Sequence, residues 1–291
     1  MEKLVAALGT GIAQGAMIAL VALGYSMVYG ILKLINFAHS EVFMMSAFVG
    51  FFLLQFVGLE QPYVALVVAT LGAMAFASVL GMSVERLAYA PLRRRGREVS
   101  RIAPLVTALG MSVLLTNVAQ LLFTATYRSY PPIMSLGTTR GVIIVASLTM
   151  MLLLQGLVHY TWFGKSMRAL SMNVDAARLM GVRTGRVISL TFMTGSSLAA
   201  LGSILFCLDQ SPAYPTMGTV IGTRAFVAAV IGGIGSIPGA VLGGLLLGVV
   251  GELTKLTPYS SLQDVFVFMA LVAVLLVRPN GLLGKAGIEK V

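Results

Sequence analysis

The chain has 291 residues, 58% hydrophobic and 10% charged, with a formal net charge of +10 and a mean hydropathy of +0.94. Soluble domains carry about 25% charged residues, so this composition excludes a water-facing globular enzyme and leaves a membrane domain. Lys and Arg concentrate in three short stretches, five in 91–101, five in 164–186 and three in 278–291. That is the pattern of short cytoplasmic loops, and with no soluble basic fold to carry it, nucleic-acid binding is excluded.

Crossing ~30 Å of hydrocarbon takes ~20 apolar residues. The first such run covers about 5–30, where Gly11 and Gly15 allow close helix approach in lipid. It lacks the small-x-small end of a cleaved leader and reads as a retained span. Residues 31–41 then interrupt the apolar pattern with Lys33, Asn36, His39 and Glu41. The second span is placed at 42–58, and the connection to Pro62, free of Lys and Arg, suits the outer side. The third covers 63–83, with a helical extension toward Tyr89. The basic stretch 91–101 belongs inside. Spans follow at 102–124 and 142–162, separated by an irregular outer loop containing Pro131, Pro132 and Gly137.

The basic segment 164–186 comes next, then a span at 187–208 and an outer loop at 209–215. Residues 222–252 are apolar but broken by Gly232-Gly233-Ile-Gly235-Ser-Ile-Pro238-Gly239. One ordinary span there would leave the basic C-terminal stretch outside, against the positive-inside rule. A re-entrant pair, Thr223–Ile231 and Pro238–Glu252, restores the parity, with Pro238 in the first turn of the second arm. The last span is 262–277. The expected fold is therefore all-α: a polytopic membrane bundle of about eight segments, including the Gly/Pro-broken pair, with the N-terminus outside.

Three constellations stand out. In 164–186, Asn173 is placed to N-cap a short helix Val174–Met180, and Gly181 to close it in the left-handed region. Arg168, Asp175, Ala176 and Ala177 complete this segment, which reads either as an ordinary basic loop or as a docking surface whose small residues admit a partner. Asn36, His39 and Glu41 read either as lining a pathway, since ionisable groups at membrane depth usually face a cavity, or as an interfacial turn with Glu41 near a helix N-terminus. Gly232, Gly233, Gly235 and Pro238 read either as packing residues or as a broken helix beside a substrate route. Thr107, Ser112, Thr116 and Asn117 are read as interhelical hydrogen-bonding groups. Cys207 is the sole cysteine, and with only His39 and His159 there is no metal-ligand set.

Asp175-Ala176-Ala177 followed by Gly181 resembles the Glu-Ala-Ala…Gly coupling loop of ABC-importer permeases. Further blocks, Ala22–Gly30, Ile35-Asn-Phe-Ala-His-Ser-Glu41, Glu85–Pro91, Gly164–Leu170, Gly232–Ala240 and Arg278–Gly284, are similar to permeases for branched-chain amino acids, the H-type subunit in particular. The resemblance spans nearly the whole chain and implies a single permease domain, 1–291, with a cytoplasmic coupling segment at 164–186, in the bacterial inner membrane. It implies partners: a related M-type permease, two cytoplasmic ATPases and a periplasmic substrate-binding protein, all within membrane lipid. It implies no catalytic residue, metal or cofactor on this chain, with ATP-Mg held by the partner subunits. Consistent with that, Gly164-Lys165-Ser166 resembles a P-loop tail, but His159 stands where the first glycine belongs. Two positions depart from the pattern: Ser40 replaces a usual Gly, and Asp175 a usual Glu. The alternative is an ion-coupled secondary transporter, for which Glu41, Glu85, Glu252 and Asp264 are the acidic candidates.

Overall fold

The structure, a computed structural model, describes residues 2–58, 60–95, 102–210 and 212–284. The helices, in order, are α1 (Glu2–Leu32), α2 (Ala38–Val57), α3 (Pro62–Val84), a π turn at Glu85–Tyr89 that runs into α4 (Ala90–Arg95), and α5 (Ala103–Phe123). They continue with α6 (Leu136–Tyr160), α7 (Trp162–Met172), α8 (Val174–Leu179), α9 (Thr184–Gln210), α10 (Met217–Gly232), α11 (Ile237–Lys255) and α12 (Gln263–Val277). Two short strands, β1 (Arg128–Ser129) and β2 (Pro212–Ala213), pair antiparallel and join two of the connecting loops. Among the described residues, eight helical segments are long and apolar enough to cross a membrane, and α10 is a shorter apolar helix.

Apolar side chains gain nothing by moving from lipid to protein, so these helices associate through close backbone packing. α1 lies at the centre, antiparallel to α11. A Cβ on Gly15 would come within 2.7 Å of Leu245 Cα, and one on Gly11 within 2.9 Å of Val249 Cα. On α3, Ala65, Ala69, Ala73, Ala77 and Gly81 fall on one face and are all buried. That four-residue repeat makes the smooth stripe that meets α2 and α9. The opposite faces carry exposed Leu71, Leu121, Leu152 and Val272, as a lipid-facing surface requires.

Glycine contacts also show how α9 runs against α1. Gly195 of α9 lies against Gly24, and Gly202 against Met17, so α9 runs antiparallel to α1. Gly235, between α10 and α11, lies near Gly30. Residues 282 and 283 bond to Ile231 and Gly232. One end of the bundle therefore gathers the C-terminal end of α1, the α10–α11 turn, α7, α8 and the segment after α12. This is the basic end, carrying Lys165, Arg168, Arg178, Arg183, Arg186 and Arg278.

Two local expectations change. The arms flanking the glycine break are 16 and 19 residues rather than half-helices of nine and fifteen. The Gly/Pro-broken pair is present, but its turn sits beside Gly30 near the end of α1 and not at mid-bundle. The reason is packing: glycines along α11 let that helix follow α1 over most of its length. Secondly, α2 begins at Ala38, four residues before the expected span, so His39, Ser40 and Glu41 lie inside a membrane helix.

Candidate functional site

The 164–186 segment is built as two capped helices in series. Thr161 opens α7, its hydroxyl accepting from Gly164 N–H at 3.2 Å. α7 ends where Asn173 turns extended, and the same residue opens α8: Asn173 Oδ1 accepts from the N–H groups of Asp175 and Ala176, each at 3.0 Å. Helix N-terminal N–H groups have no partner within the helix, so this side chain supplies one. The other end closes as a Schellman motif. Val182 N–H donates to Ala177 O, Gly181 N–H donates to Arg178 O, and Gly181 sits at φ +82°, where a side chain would be strained.

The six coupling candidates have different roles within this turn. Asp175 and Ala176 are exposed, whereas Ala177 is buried and packs the turn onto the bundle. Arg168 donates to the Val158 carbonyl, which ties α7 to the last turn of α6. The sequence reading missed Met172, Leu179 and Met180, which are 88%, 87% and 84% exposed. Apolar side chains thus ring a rigid turn at the most charged end of the molecule. The signal was present as Leu179-Met180 flanking the capped turn.

The polar cluster is brought inside the bundle and divides into two parts. Residues 33–37 fold back, so that His39 meets α1 beside Val21 and Gly24. Gly24 is eight residues before Leu32, about 12 Å along the helix axis at ~1.5 Å per residue. Asn36 Oδ1 accepts from Tyr89 OH at 3.1 Å. His39 Nε2 lies 3.2 Å from Val21 O, which fixes that nitrogen as the protonated one, and Tyr25 packs edge-on against its ring. Asn36 and His39 therefore hold the refolded segment to its neighbours.

Glu41 is different. It is 1% exposed, and its Oε1 accepts from Ser112 of α5 at 3.1 Å and from Ser40 at 3.4 Å. Its Oε2 has no hydrogen-bond partner among the described residues and faces Gly218 of α10, where an added Cβ would stand 2.7 Å away. Glu85 pairs with Arg93, Glu252 with Lys255 and Asp264 with Arg224, so of these four embedded or near-embedded acids Glu41 alone lacks a basic partner among the described residues. Ser40 packs onto Gly222, and the nearer acceptor of its hydroxyl is Phe37 O at 2.6 Å. Of the four polar residues on α5, Ser112 does bond to another helix, while Thr116 and Asn117 bond to carbonyls of their own.

The glycine turn is brought to neither constellation by a hydrogen bond among the described residues. Ser236 caps α11 by accepting from Gly239 N–H, with Pro238 in the first turn. Gly233 and Gly235 have φ of +102° and +92°. Leu282 N–H donates to Ile231 O at 2.8 Å and Leu283 N–H to Gly232 O at 2.9 Å. Those carbonyls are already satisfied, and residues 280–284 form a strap across the turn. Gly232 and Gly233 are buried, Gly235 and Pro238 exposed.

A family model described as the permease component of the branched-chain amino acid transport system matches residues 7–275. The chain is similar to the high-affinity branched-chain amino acid transport system permease protein LivH of Salmonella typhimurium, 37% identical over 97% of this chain and 96% of that relative. The corresponding permease protein BraD of Pseudomonas aeruginosa is 36% identical over the same shares. Among solved structures, PsaBC from Streptococcus pneumoniae in complex with Fab aligns at a TM-score of 0.51 and 12% identity, covering 93% of this chain and 91% of that one; this likeness concerns the fold alone. By its family match and its multi-pass helical bundle, the chain is an inner-membrane protein that belongs to the permease-component family of branched-chain amino acid transport systems.

Proposed function

We propose that this chain is the membrane-spanning subunit of an ATP-driven importer of branched-chain or similarly apolar amino acids. It works with a related M-type permease, two cytoplasmic ATPases that hold ATP-Mg, and a periplasmic binding protein; the chain itself carries no catalytic group. The observation that most supports this reading is the capped turn Asn173–Gly181 with Met172, Leu179 and Met180 exposed around it. A turn held at both ends transmits force without unravelling, and its apolar rim gives a partner something to bury. The basic end is then cytoplasmic by the positive-inside rule.

Movement of α8 reaches the bundle through α7, which Arg168 ties to α6, and through α9, which follows Gly181 directly. Glu41 is the pathway residue we retain, because its unpartnered oxygen at the α2–α5–α10 junction suits the ammonium of a passing amino acid. Asn36 and His39 position the segment that carries it. The glycine turn acts as a joint between α10 and α11, with Gly235 and Pro238 on its open side. Glu41→Gln keeps an acceptor for Ser112 and should slow uptake by about tenfold, the scale of one lost charge-assisted bond, with normal assembly. Unchanged uptake would remove Glu41 from the route.

The importer reading is tested by reconstituting the chain with the M-type permease, ATPases and binding protein in proteoliposomes. Leucine accumulation should require ATP and every component. Uptake by the chain alone under a proton or sodium gradient would instead establish ion coupling, with Glu41 as the titrating carboxylate.

A further inference from the structure

At the end opposite α7 and α8, a cavity of about 220 Å³ opens between α1, α2, α9, α10, α11 and α12. At ~30 Å³ per water it has room for roughly seven waters, the scale of one small amino acid. Its floor is apolar: Met17 of α1, Phe43 of α2, Phe206 of α9 and Ile221 of α10. Met17, Phe43 and Ile221 are buried, and Phe43 and Phe206 pack edge to face at 6.1 Å. The floor is therefore preformed by side chains already packed against one another.

The rim is polar and its hydrogen-bonding capacity is only partly used. Arg224 holds Asp264 through Nε at 3.0 Å and Nη2 at 2.7 Å, and Nη1 makes no bond among the described residues. Lys255 holds Glu252 with one of its three donors. The side chains of Gln14, Gln263 and Tyr214 line the same rim and form no hydrogen bond among the described residues. Burial holds the Tyr214 phenol above its ordinary pKa, so it stays a neutral donor. The two cations and their two carboxylates sum to zero charge.

A lipid tail would fill the floor and leave that rim unmatched, and a simple anion would unbalance the charge. A zwitterion with an apolar side chain satisfies both parts at once. We propose that this cavity is a substrate-receiving site of the permease. In it the carboxylate of an apolar amino acid meets Arg224 and Lys255, its ammonium meets the amide oxygens of Gln14 and Gln263, and its side chain lies on Met17, Phe43, Phe206 and Ile221. The site rests on the importer reading for its substrate class and adds that the permease itself holds the amino acid once, at its receiving end, before passage.

The test uses the complete transporter in proteoliposomes and a diazirine analogue of leucine, photolysed and mapped by mass spectrometry. Label is expected on the floor residues and is expected to be displaced by leucine. Leucinamide, which lacks the carboxylate, and 4-methylpentanoate, which lacks the ammonium, should each compete about tenfold more weakly, the scale of one charge-assisted hydrogen bond. The double variant R224Q/D264N, which removes an ion pair without changing net charge, should lower displaceable labelling by a similar factor. Label displaced equally by 4-methylpentanoate, or absent from the floor, would overturn the site. ATP-driven leucine uptake measured in the same vesicles reports the importer reading separately: uptake without floor labelling sinks the site alone, and leucine-displaceable labelling without uptake keeps the site and sinks the importer.

Discussion

Ser40 shows how a single added atom pair is accommodated in a bundle held by backbone contact. Its side chain occupies the space that Gly222 of α10 leaves open. The two positions should therefore be coupled. Gly222→Ala places a Cβ onto Ser40 and should cost about 1–3 kcal/mol, the usual range for overpacking, read as a lower Tm in detergent. Adding Ser40→Gly should recover most of that loss. If the double variant is no more stable than Gly222→Ala, the contact is not what limits the site. The Ser40 hydroxyl bonds chiefly to Phe37 O, 2.6 Å away within its own helix start, and reaches Glu41 Oε1 only at 3.4 Å, so substrate choice should change little when it is removed.

At the scale of elements, α8 is only six residues long, too short to persist without its ends. Asn173→Ala removes the side chain that serves two N–H groups and should destabilise the turn by about 1 kcal/mol. Less ATPase should then copurify with the permease, while membrane insertion is unchanged. Asn173→Asp, which restores an acceptor, should recover copurification. Equal ATPase recovery with all three chains would mean that the turn is not the docking element.

The elements were legible in the sequence to unequal degrees. The caps of α8 were legible because Asn and a following Gly act within a few residues, and the long spans because ~20 apolar residues announce themselves. The start of α2 was not, because polarity argued for a surface turn at Asn36–Glu41; contacts with Val21, Tyr89 and Ser112, all distant in sequence, hold it inside. The lengths of α10 and α11 were hidden for the same reason: glycine weakens a helix in isolation, yet here it is what lets α11 reach α1. The Ala65–Ala77 stripe was not singled out from the sequence, although its four-residue repeat marks the buried face of α3.

For the whole molecule, the arrangement makes a sided prediction. Leu179 is exposed and the native Cys207 fully buried, so Leu179→Cys gives one reactive thiol. A membrane-impermeant maleimide should label it only from the cytoplasmic face, and bound ATPases should protect it. Labelling from the outer face would invert the topology and with it the docking assignment.

The strap at 280–284 has a consequence for how the protein is made. It follows α12 in chain order and so leaves the ribosome after all the described spans, yet the carbonyls of Ile231 and Gly232 depend on it for their bonds. The α10–α11 joint thus stays open until α12 has been made, and its closure comes after the described spans have been delivered to the membrane. A chain ending at Val277 should insert with all its helices but remain sensitive to protease near the joint, whereas one ending at Gly284 should be protected. Equal protection of the two would show that the joint closes without its strap.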